Sequence, residues 1–221
     1  MIRTLIIDLD GPILDGKFRH YACYKNILLS HGCNALEIET YWSLKRDHVD
    51  LSTLLAASHA NRIRNTFTEQ WLKLIEQPRF LALDRLHPGS KGILRQWRRM
   101  GLQLILATMR QDPLGLSSQL ESLGLAALIN QVVPCSLALG GKGKALRVKE
   151  SVGPFSADNC IWIGDSEADI EAARTLGLRV IAVTCGIRSE EYLVRLNPDI
   201  LAEDLRSIEL TSIPLRLPST T

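Results

Sequence analysis

Short apolar runs alternate along this chain with longer segments of helical periodicity, and this alternation is the feature that most limits the possible folds. The candidate strands are the runs 2–8, 102–107, 128–133, 160–163 and 178–183. Two of the segments between them have helical spacing and end at a glycine, namely 113–124 and 167–177. Strands that alternate with helices predict an α/β fold, with a parallel sheet covered by helices on both faces.

The alternation stops after the first run, because residues 16–86 contain no strand-like run and are helical in pattern throughout. We interpret them as a small helical cap inserted into an α/β core, which is made of residues 1–15 and 87–221. A chain of 221 residues has room for one such core with an appendage. Beyond the insertion, Pro88 is expected to open a helix that Gly101 closes.

Composition excludes several classes of protein. The 26 basic and 24 acidic residues give a net charge of +2, which is too small to favour nucleic acid or a membrane surface as a partner. The five cysteines are odd in number and form no C-x-x-C pair, so reduced thiols are expected. With no signal sequence or membrane segment, a cytoplasmic location is expected. The final TSIPLRLPSTT predicts a loose tail.

The first run ends in acids. Asp8 and Asp10 follow it, and Asp15 lies close by in LIIDLDGPILDG. A turn is one explanation, because aspartate followed by glycine is a strong turn signal, but one turn would need only one acid. A pair of carboxyl groups can supply a nucleophile and a group that donates and accepts protons. Ligands bind at the carboxyl ends of parallel strands, which is where this pair is expected.

Two further candidate positions follow the second and third runs. Thr108 ends the second run, where it could cap a helix or hold a phosphoryl oxygen with its hydroxyl. Lys142 and Lys144 lie in the glycine-rich GGKGKAL, where a lysine could neutralise phosphate or remain solvated. The spacing does not decide between the two lysines. The spacing of Lys142 to the apolar residue Leu146 favours Lys142.

The fourth run is followed by GDSEAD, which contains Asp165 and Asp169. Ser166 and Asp169 match a capping box for the helix that follows. That explanation leaves Asp165 unexplained, since it comes directly after an apolar strand and a glycine. Two carboxylates about one helical turn apart can face the same point and bind a hard cation such as Mg²⁺ through oxygen.

Taken in this order, the four motifs resemble the haloacid dehalogenase superfamily of aspartate-nucleophile hydrolases, and within it the phosphoglycolate phosphatase-like branch with a helical cap. The resemblance rests on DLDGPILD, LHPGSKGILRQWRRMGLQLILAT, GGKGKAL and IWIGDSEADIEAAR, and it extends over nearly the whole chain. It implies a Rossmann-like parallel sheet with a small inserted cap. A dehalogenase is disfavoured, because those enzymes lack the second aspartate.

The resemblance also implies roles for individual residues. Asp8 would be the nucleophile that forms an aspartyl-phosphate, and Asp10 the general acid and base. Thr108, Met109 and Lys142 would bind the phosphoryl group of the substrate. Met109 is less usual at its position than a small polar residue.

The same resemblance implies a Mg²⁺ cofactor. Its ligands would be Asp8, Asp165, the backbone carbonyl of Asp10 and, through water, Asp169. The positive charges of the ion and the lysine would balance the carboxylates and the phosphate. One departure from the family is Pro12, which replaces the usual threonine and removes both a hydroxyl and a backbone N–H.

The expected function is therefore hydrolysis of a small phosphorylated metabolite, a phosphomonoester such as phosphoglycolate, by a monomer or homodimer. Three alternatives remain open. A phosphomutase similar to β-phosphoglucomutase would keep both aspartates, and a catalytically silent member would bind a phosphorylated ligand or a partner protein. A phospho-acceptor signalling domain would need neither the helical insertion nor the late GDSEAD motif.

Overall fold

The computed structural model describes residues 2–136, 139–153 and 156–210, and over these ranges it confirms the α/β fold. The expected tail, 211–221, lies outside the described residues. The strands are β1 (Thr4–Ile7), β2 (Leu14–Asp15), β3 (Arg85–Leu86), β4 (Gln103–Thr108), β5 (Gln131–Pro134), β6 (Cys160–Gly164), β7 (Arg179–Val183) and β8 (Ile200–Ala202). Six of them form a parallel sheet in the order β5-β4-β1-β6-β7-β8, while β2 and β3 form an antiparallel pair.

The helices alternate with these strands as the apolar pattern predicts. They are α1 (Lys17–Ser30), α2 (Ile38–Arg46), α3 (Leu51–Ala57), α4 (Arg64–Leu74), α5 (Pro78–Leu81), α6 (Ser90–Arg99), α7 (Pro113–Ser122), α8 (Gly140–Val152), α9 (Glu167–Thr175) and α10 (Glu190–Arg195). Among the described residues, none of these helices has the length and apolarity needed to cross a membrane. All five cysteines are free thiols, as predicted.

The hydrophobic core lies on both faces of the sheet because β1 is buried from end to end. Successive side chains of a strand point to opposite faces. Leu5 and Ile7 therefore pack into one apolar cluster with α6 and α7, and Ile6 packs into a second cluster with α8 and α9. Burial on both faces explains why the strand has the sequence of a continuous aliphatic run.

Helices α1 to α5 lie between β2 and β3, and we call this segment the helical insertion. It has an apolar cluster of its own, built on Tyr24, Ile27, Tyr41 and Phe67. The β2–β3 pair, in which Leu14 lies opposite Leu86, holds the start and end of the insertion together. The exact division of the chain at residues 16 and 86 stays a prediction.

Two boundary predictions are wrong. Pro88 does not open the next helix, because α6 starts at Ser90, after Gly89 has turned the backbone with φ 80°. The run 128–133 is only partly a strand, because residues 126–128 form a short turn of 3-10 helix and β5 starts at Gln131. Two-residue strands such as β2 carry too short a pattern to be found in a sequence.

Candidate active site

The carboxyl ends of β1, β4 and β6 meet at one edge of the sheet. Ile7 of β1 lies opposite Leu106 of β4 on one side and Ile163 of β6 on the other. The backbone N–H of Asp8 donates to the carbonyl oxygen of Ile163 at 2.9 Å. The residues that follow the three strands are therefore neighbours, although more than 150 positions separate the first from the last in the sequence.

Three buried carboxylates lie together at this edge. Asp8, Asp165 and Asp169 each place one oxygen within 4.8 Å of the others. The ammonium of Lys144, also buried, is 3.0 Å from Oδ1 of Asp8 and 2.7 Å from Oδ1 of Asp169. Three carboxylates thus face one ammonium ion, and the cluster has an excess of negative charge.

This excess appears in the pKa values of the acids. Burial, together with the nearby Asp169 and Asp10, raises the pKa of Asp8 to about 7 in spite of the opposing charge of Lys144. Burial and the neighbouring carboxylates also raise the pKa of Asp165 well above its usual value. Burial alone would lower the pKa of Lys144, but Asp169 and Asp8 raise it above the ordinary range. The lysine is therefore a permanent positive charge beside acids that ionise at a cost.

Asp169 is held firmly by four hydrogen bonds. Its Oδ1 accepts from Nζ of Lys144 at 2.7 Å and from Nε1 of Trp162 at 3.1 Å. Its Oδ2 accepts from the hydroxyl of Ser166 at 2.6 Å and from the backbone N–H of Asp165 at 3.3 Å. The alternative of a capping box is wrong, because the Ser166 side chain bonds to Asp169 and does not cap α9.

Two glycines allow the backbone to pass close to Asp165. A Cβ atom at Gly11 or at Gly186 would lie 2.0 Å from Oδ2 of Asp165. Gly11 also has φ 103°, a conformation that other residues rarely adopt. The turn after Asp8 closes without an N–H at Pro12, because Ile13 and Leu14 both donate to the carbonyl of Leu9. Loss of the usual N–H at Pro12 therefore leaves this turn intact.

Asp10 is bound by two arginines that the sequence did not single out for this role. Its Oδ2 accepts from Nε of Arg110 at 2.7 Å, and its Oδ1 accepts from Nη2 of Arg110 at 2.8 Å and Nη2 of Arg19 at 2.6 Å. Asp84 pairs with the same two arginines, at 2.9 Å from Arg19 and 3.0 Å from Arg110. Although burial would raise the pKa of Asp10, Arg110 and Arg19 hold it well below its usual range.

The prediction for the lysine needs correction. Lys142 is exposed, whereas Lys144 is buried against the acids. Both residues are on α8, where residues four apart share a face. Leu146, which suggested Lys142, is itself exposed, while Val148, four residues after Lys144, is fully buried. The inward face of the helix therefore carries Lys144, and Lys142 points away from the site.

Thr108 and Met109 line the cavity above the acids, which has a volume of about 300 Å³. The Oγ1 atom of Thr108 is buried and has no hydrogen-bond partner among the described residues. An unpaired buried hydroxyl is costly, so this one is suited to a ligand oxygen. His20 and Trp42 of the helical insertion also line the cavity.

The residues present fit a hard divalent cation. Carboxylate oxygens are the ligands that such an ion prefers. Asp8, Asp165 and Asp169 carry two more negative charges than Lys144 can balance, and a divalent ion would supply that difference. The raised pKa values of Asp8 and Asp165 have the same cause, namely burial of carboxylates that lack sufficient positive charge.

Comparisons with known proteins agree with the α/β fold and with the resemblance of the four motifs. The family model for haloacid dehalogenase-like hydrolases matches residues 2–177. Pyrophosphatase PpaX of Oceanobacillus iheyensis is 21% identical over 94% of this chain and 95% of its own length. Phosphoglycolate phosphatase of Pseudomonas putida is 22% identical over 93% of this chain and 78% of its own. A haloacid dehalogenase-like hydrolase structure from Streptococcus pneumoniae has a TM-score of 0.76 at 16% identity, and covers 93% of this chain and 95% of its own.

Proposed function

The chain belongs to the haloacid dehalogenase-like hydrolase family, and we propose that it is a Mg²⁺-dependent phosphatase of a small phosphorylated metabolite. The observation that carries this proposal is the cluster of Asp8, Asp165 and Asp169 around the buried Lys144. The names of the phosphoglycolate phosphatase and pyrophosphatase relatives support phosphoryl transfer to water as the reaction class.

In the proposed reaction, a carboxylate oxygen of Asp8 attacks phosphorus, and the bond between phosphorus and the leaving oxygen breaks. For a monoester, the leaving oxygen takes a proton from Asp10, which is then ionised for the second step. The resulting aspartyl-phosphate is then attacked by water, which gives its proton to Asp10, and the phosphate leaves Asp8. The hydroxyl of Thr108 donates to a phosphoryl oxygen. Lys144 orients Asp8 and balances its charge.

We propose that Asp8, Asp165, the backbone carbonyl of Asp10 and, through water, Asp169 hold the Mg²⁺ ion. When bound, Mg²⁺ supplies positive charge that stabilises the phosphoryl group in the transition state. We propose that the helical insertion serves as a cap, and the contribution of His20 and Trp42 to the wall of the cavity supports this role.

The test of this function is release of inorganic phosphate from a panel of compounds with and without Mg²⁺. The panel contains phosphoglycolate, sugar phosphates, nucleotides and inorganic pyrophosphate. We expect release that depends on Mg²⁺ and disappears when the metal is chelated. A folded protein that releases no phosphate from any compound would contradict the proposal.

Hydrolysis of a phosphoanhydride is a second candidate, and the two arginines at Asp10 favour it. Both oxygens of Asp10 accept hydrogen bonds from guanidinium groups, an arrangement in which the carboxylate has no proton to donate. An alkoxide leaving group needs a proton, whereas a departing phosphate does not. If the protein is an anhydride hydrolase, kcat/KM for pyrophosphate should be higher than for every monoester in the same panel. The reverse order would favour a monoesterase.

Binding of Mg²⁺ should also stabilise the folded protein. At a concentration one hundred times its Kd, a ligand adds about 2.7 kcal/mol of stability, which raises Tm by roughly 5–10 °C for a chain of this size. The physical reason is that the ion relieves repulsion among Asp8, Asp165 and Asp169. Thermal unfolding with Mg²⁺ and with chelator measures the shift.

The matched variants for this experiment are Asp165→Asn and Asp158→Asn, the second being an exposed aspartate that precedes β6, whereas Asp165 follows the strand at its other end. Asp165→Asn should lose most of the shift, and Asp158→Asn should keep it. An equal shift in both variants would place the ion elsewhere.

A further inference from the structure

A second cavity, of about 270 Å³, lies within the helical insertion and reaches the core at Arg188. Most of its wall is apolar or aromatic, including Tyr41, Leu54, Phe67 and Trp71. Arg188 lines both this cavity and the one above the acids. The two spaces therefore share part of their wall at Arg188.

The boundary between the two spaces is a layer of aromatic rings. The ring of His20, which lines the first cavity, lies 5.3 Å from that of Trp71, which lines the second. The same ring of His20 is 6.1 Å from that of Trp42. Nδ1 of His20 is buried and has no hydrogen-bond partner among the described residues. This layer offers flat apolar surface and one unpaired polar atom to a ligand that passes it.

Among the described residues, Lys45 is the charged group of the second cavity that lacks a counterion. Its ammonium lies 5.1 Å from the centre of the Trp71 ring, and within the described ranges no carboxylate oxygen is within 4 Å of it. Glu167 is close enough to influence Lys45, but both of its oxygens bind Arg188 at 2.6 Å. Arg188 also donates to the backbone carbonyl of Lys45 at 3.1 Å, and its positive charge is close enough to lower the pKa of Lys45.

The charges elsewhere in the site are balanced without Lys45. Arg19 and Arg110 neutralise Asp10 and Asp84, and Lys144 with a divalent ion would neutralise the three acids of the cluster. One positive charge thus remains on the wall of an apolar cavity. Burial and the proximity of Arg188 lower the pKa of Lys45 to about 8, as expected for a cation that lacks a partner.

We propose that this cavity binds the part of the substrate that leaves, and that this part is a ring-sized apolar body with a carboxylate that pairs with Lys45. The proposal rests on the proposed phosphatase function for the reaction, but the binding site stands on its own contacts. A carboxylate is favoured over a second phosphate because one ammonium balances one negative charge. Glycolate alone is too small to fill the cavity.

The matched probes are para-carboxybenzyl phosphate and benzyl phosphate, which differ only in the carboxylate. We expect kcat/KM of the wild-type protein to be at least about tenfold higher for the carboxylated compound, which is the effect of one charge-assisted hydrogen bond. In Lys45→Met, which keeps the aliphatic stem, the ratio should fall to near one. Lys25→Met is the control, because Lys25 is an exposed lysine of the same insertion and also lies over a ring, that of Tyr21.

Binding is measured separately by calorimetry with the product alcohol, para-(hydroxymethyl)benzoate, and its neutral amide. In Lys45→Met, the affinity for the acid should fall by about tenfold or more, and the affinity for the amide should stay unchanged. Val49→Phe places a larger side chain on the wall of the cavity and should lower the affinity for both the acid and the amide. If the protein releases phosphate but Lys45→Met binds the carboxylate as tightly as wild type does, this inference is wrong and the phosphatase function stands. If binding of the carboxylate depends on Lys45 but no phosphate is released, the binding site stands and the phosphatase function is wrong.

Discussion

Replacing Asp8 with asparagine should reduce phosphate release by about 10⁴-fold or more and leave the fold intact. An amide oxygen is a weak nucleophile, so the covalent bond to phosphorus cannot form at a useful rate. The neighbouring acids cannot take over this role from their positions. Asp169 already accepts four hydrogen bonds, and Asp165 accepts one from the backbone N–H of Ile187.

The same substitution should make the metal-free protein more stable at neutral pH. Burial with two nearby acids raises the pKa of Asp8 from 3.8 to about 7. Between these two values the folded protein binds more protons at Asp8 than the unfolded protein does. The contribution of Asp8 to stability therefore falls as the pH rises through this window. Asparagine does not ionise and carries no such cost. The free energy of unfolding of Asp8→Asn should therefore exceed that of wild type at pH 7.5, and the difference should vanish near pH 4.

The measurements are phosphate release and urea unfolding of wild type, Asp8→Asn and the exposed control Asp158→Asn. Loss of activity together with a gain in stability is the signature of a functional group held at a cost to the fold. Wild-type turnover in Asp8→Asn would refute the mechanism. A loss of both activity and stability would show that Asp8 acts chiefly as a structural residue.

Much of this fold follows from local sequence pattern. β1, β6 and β7 are buried from end to end, so their aliphatic runs stand out against the polar segments around them. Because parallel strands place their carboxyl ends along one edge, the motif acids could be assigned to one site before any geometry was known. Asp8 and Asp165 are neighbours for this reason, although they belong to different strands.

The rest of the site depends on contacts that a single sequence does not encode locally. Arg19 on α1, Asp84 before β3 and Arg110 after β4 come together at Asp10 only when the insertion folds against the core. Nothing in the spacing of positions 10, 19, 84 and 110 links them. The cavity at Lys45 is similar, since its walls come from α2, α3, α4 and the loop before α10.

The choice between Lys142 and Lys144 failed for a different reason, because the pattern of α8 is ambiguous. Its first residues are glycines and lysines, which define no apolar face, and Leu146 suggested the wrong one. The structure shows Leu146 about half exposed, at 52%. An exposed leucine is common at protein surfaces and is a poor guide to the direction of the core.

The two lysines provide the second large effect. Lys144→Met should destabilise the metal-free protein by about 3–5 kcal/mol, because it leaves buried carboxylates without their counterion. It should also reduce kcat/KM by about 10³-fold, since the charge that orients Asp8 is lost. Lys142→Met should change stability by no more than about 0.5 kcal/mol and leave activity unchanged, because Lys142 is exposed.

Added Mg²⁺ separates the structural and catalytic parts of this effect. Without Lys144, no other described residue forms an ion pair with Asp8, Asp165 or Asp169, so the metal should recover more stability in Lys144→Met than in wild type. Activity should stay low, because Lys144 lies 3.0 Å from Oδ1 of Asp8, a contact that the ion would not replace. Urea unfolding and phosphate release at a series of Mg²⁺ concentrations measure both responses. Full recovery of activity by Mg²⁺ would reduce Lys144 to a structural counterion, and loss of activity in Lys142→Met alone would reverse the assignment of the two lysines.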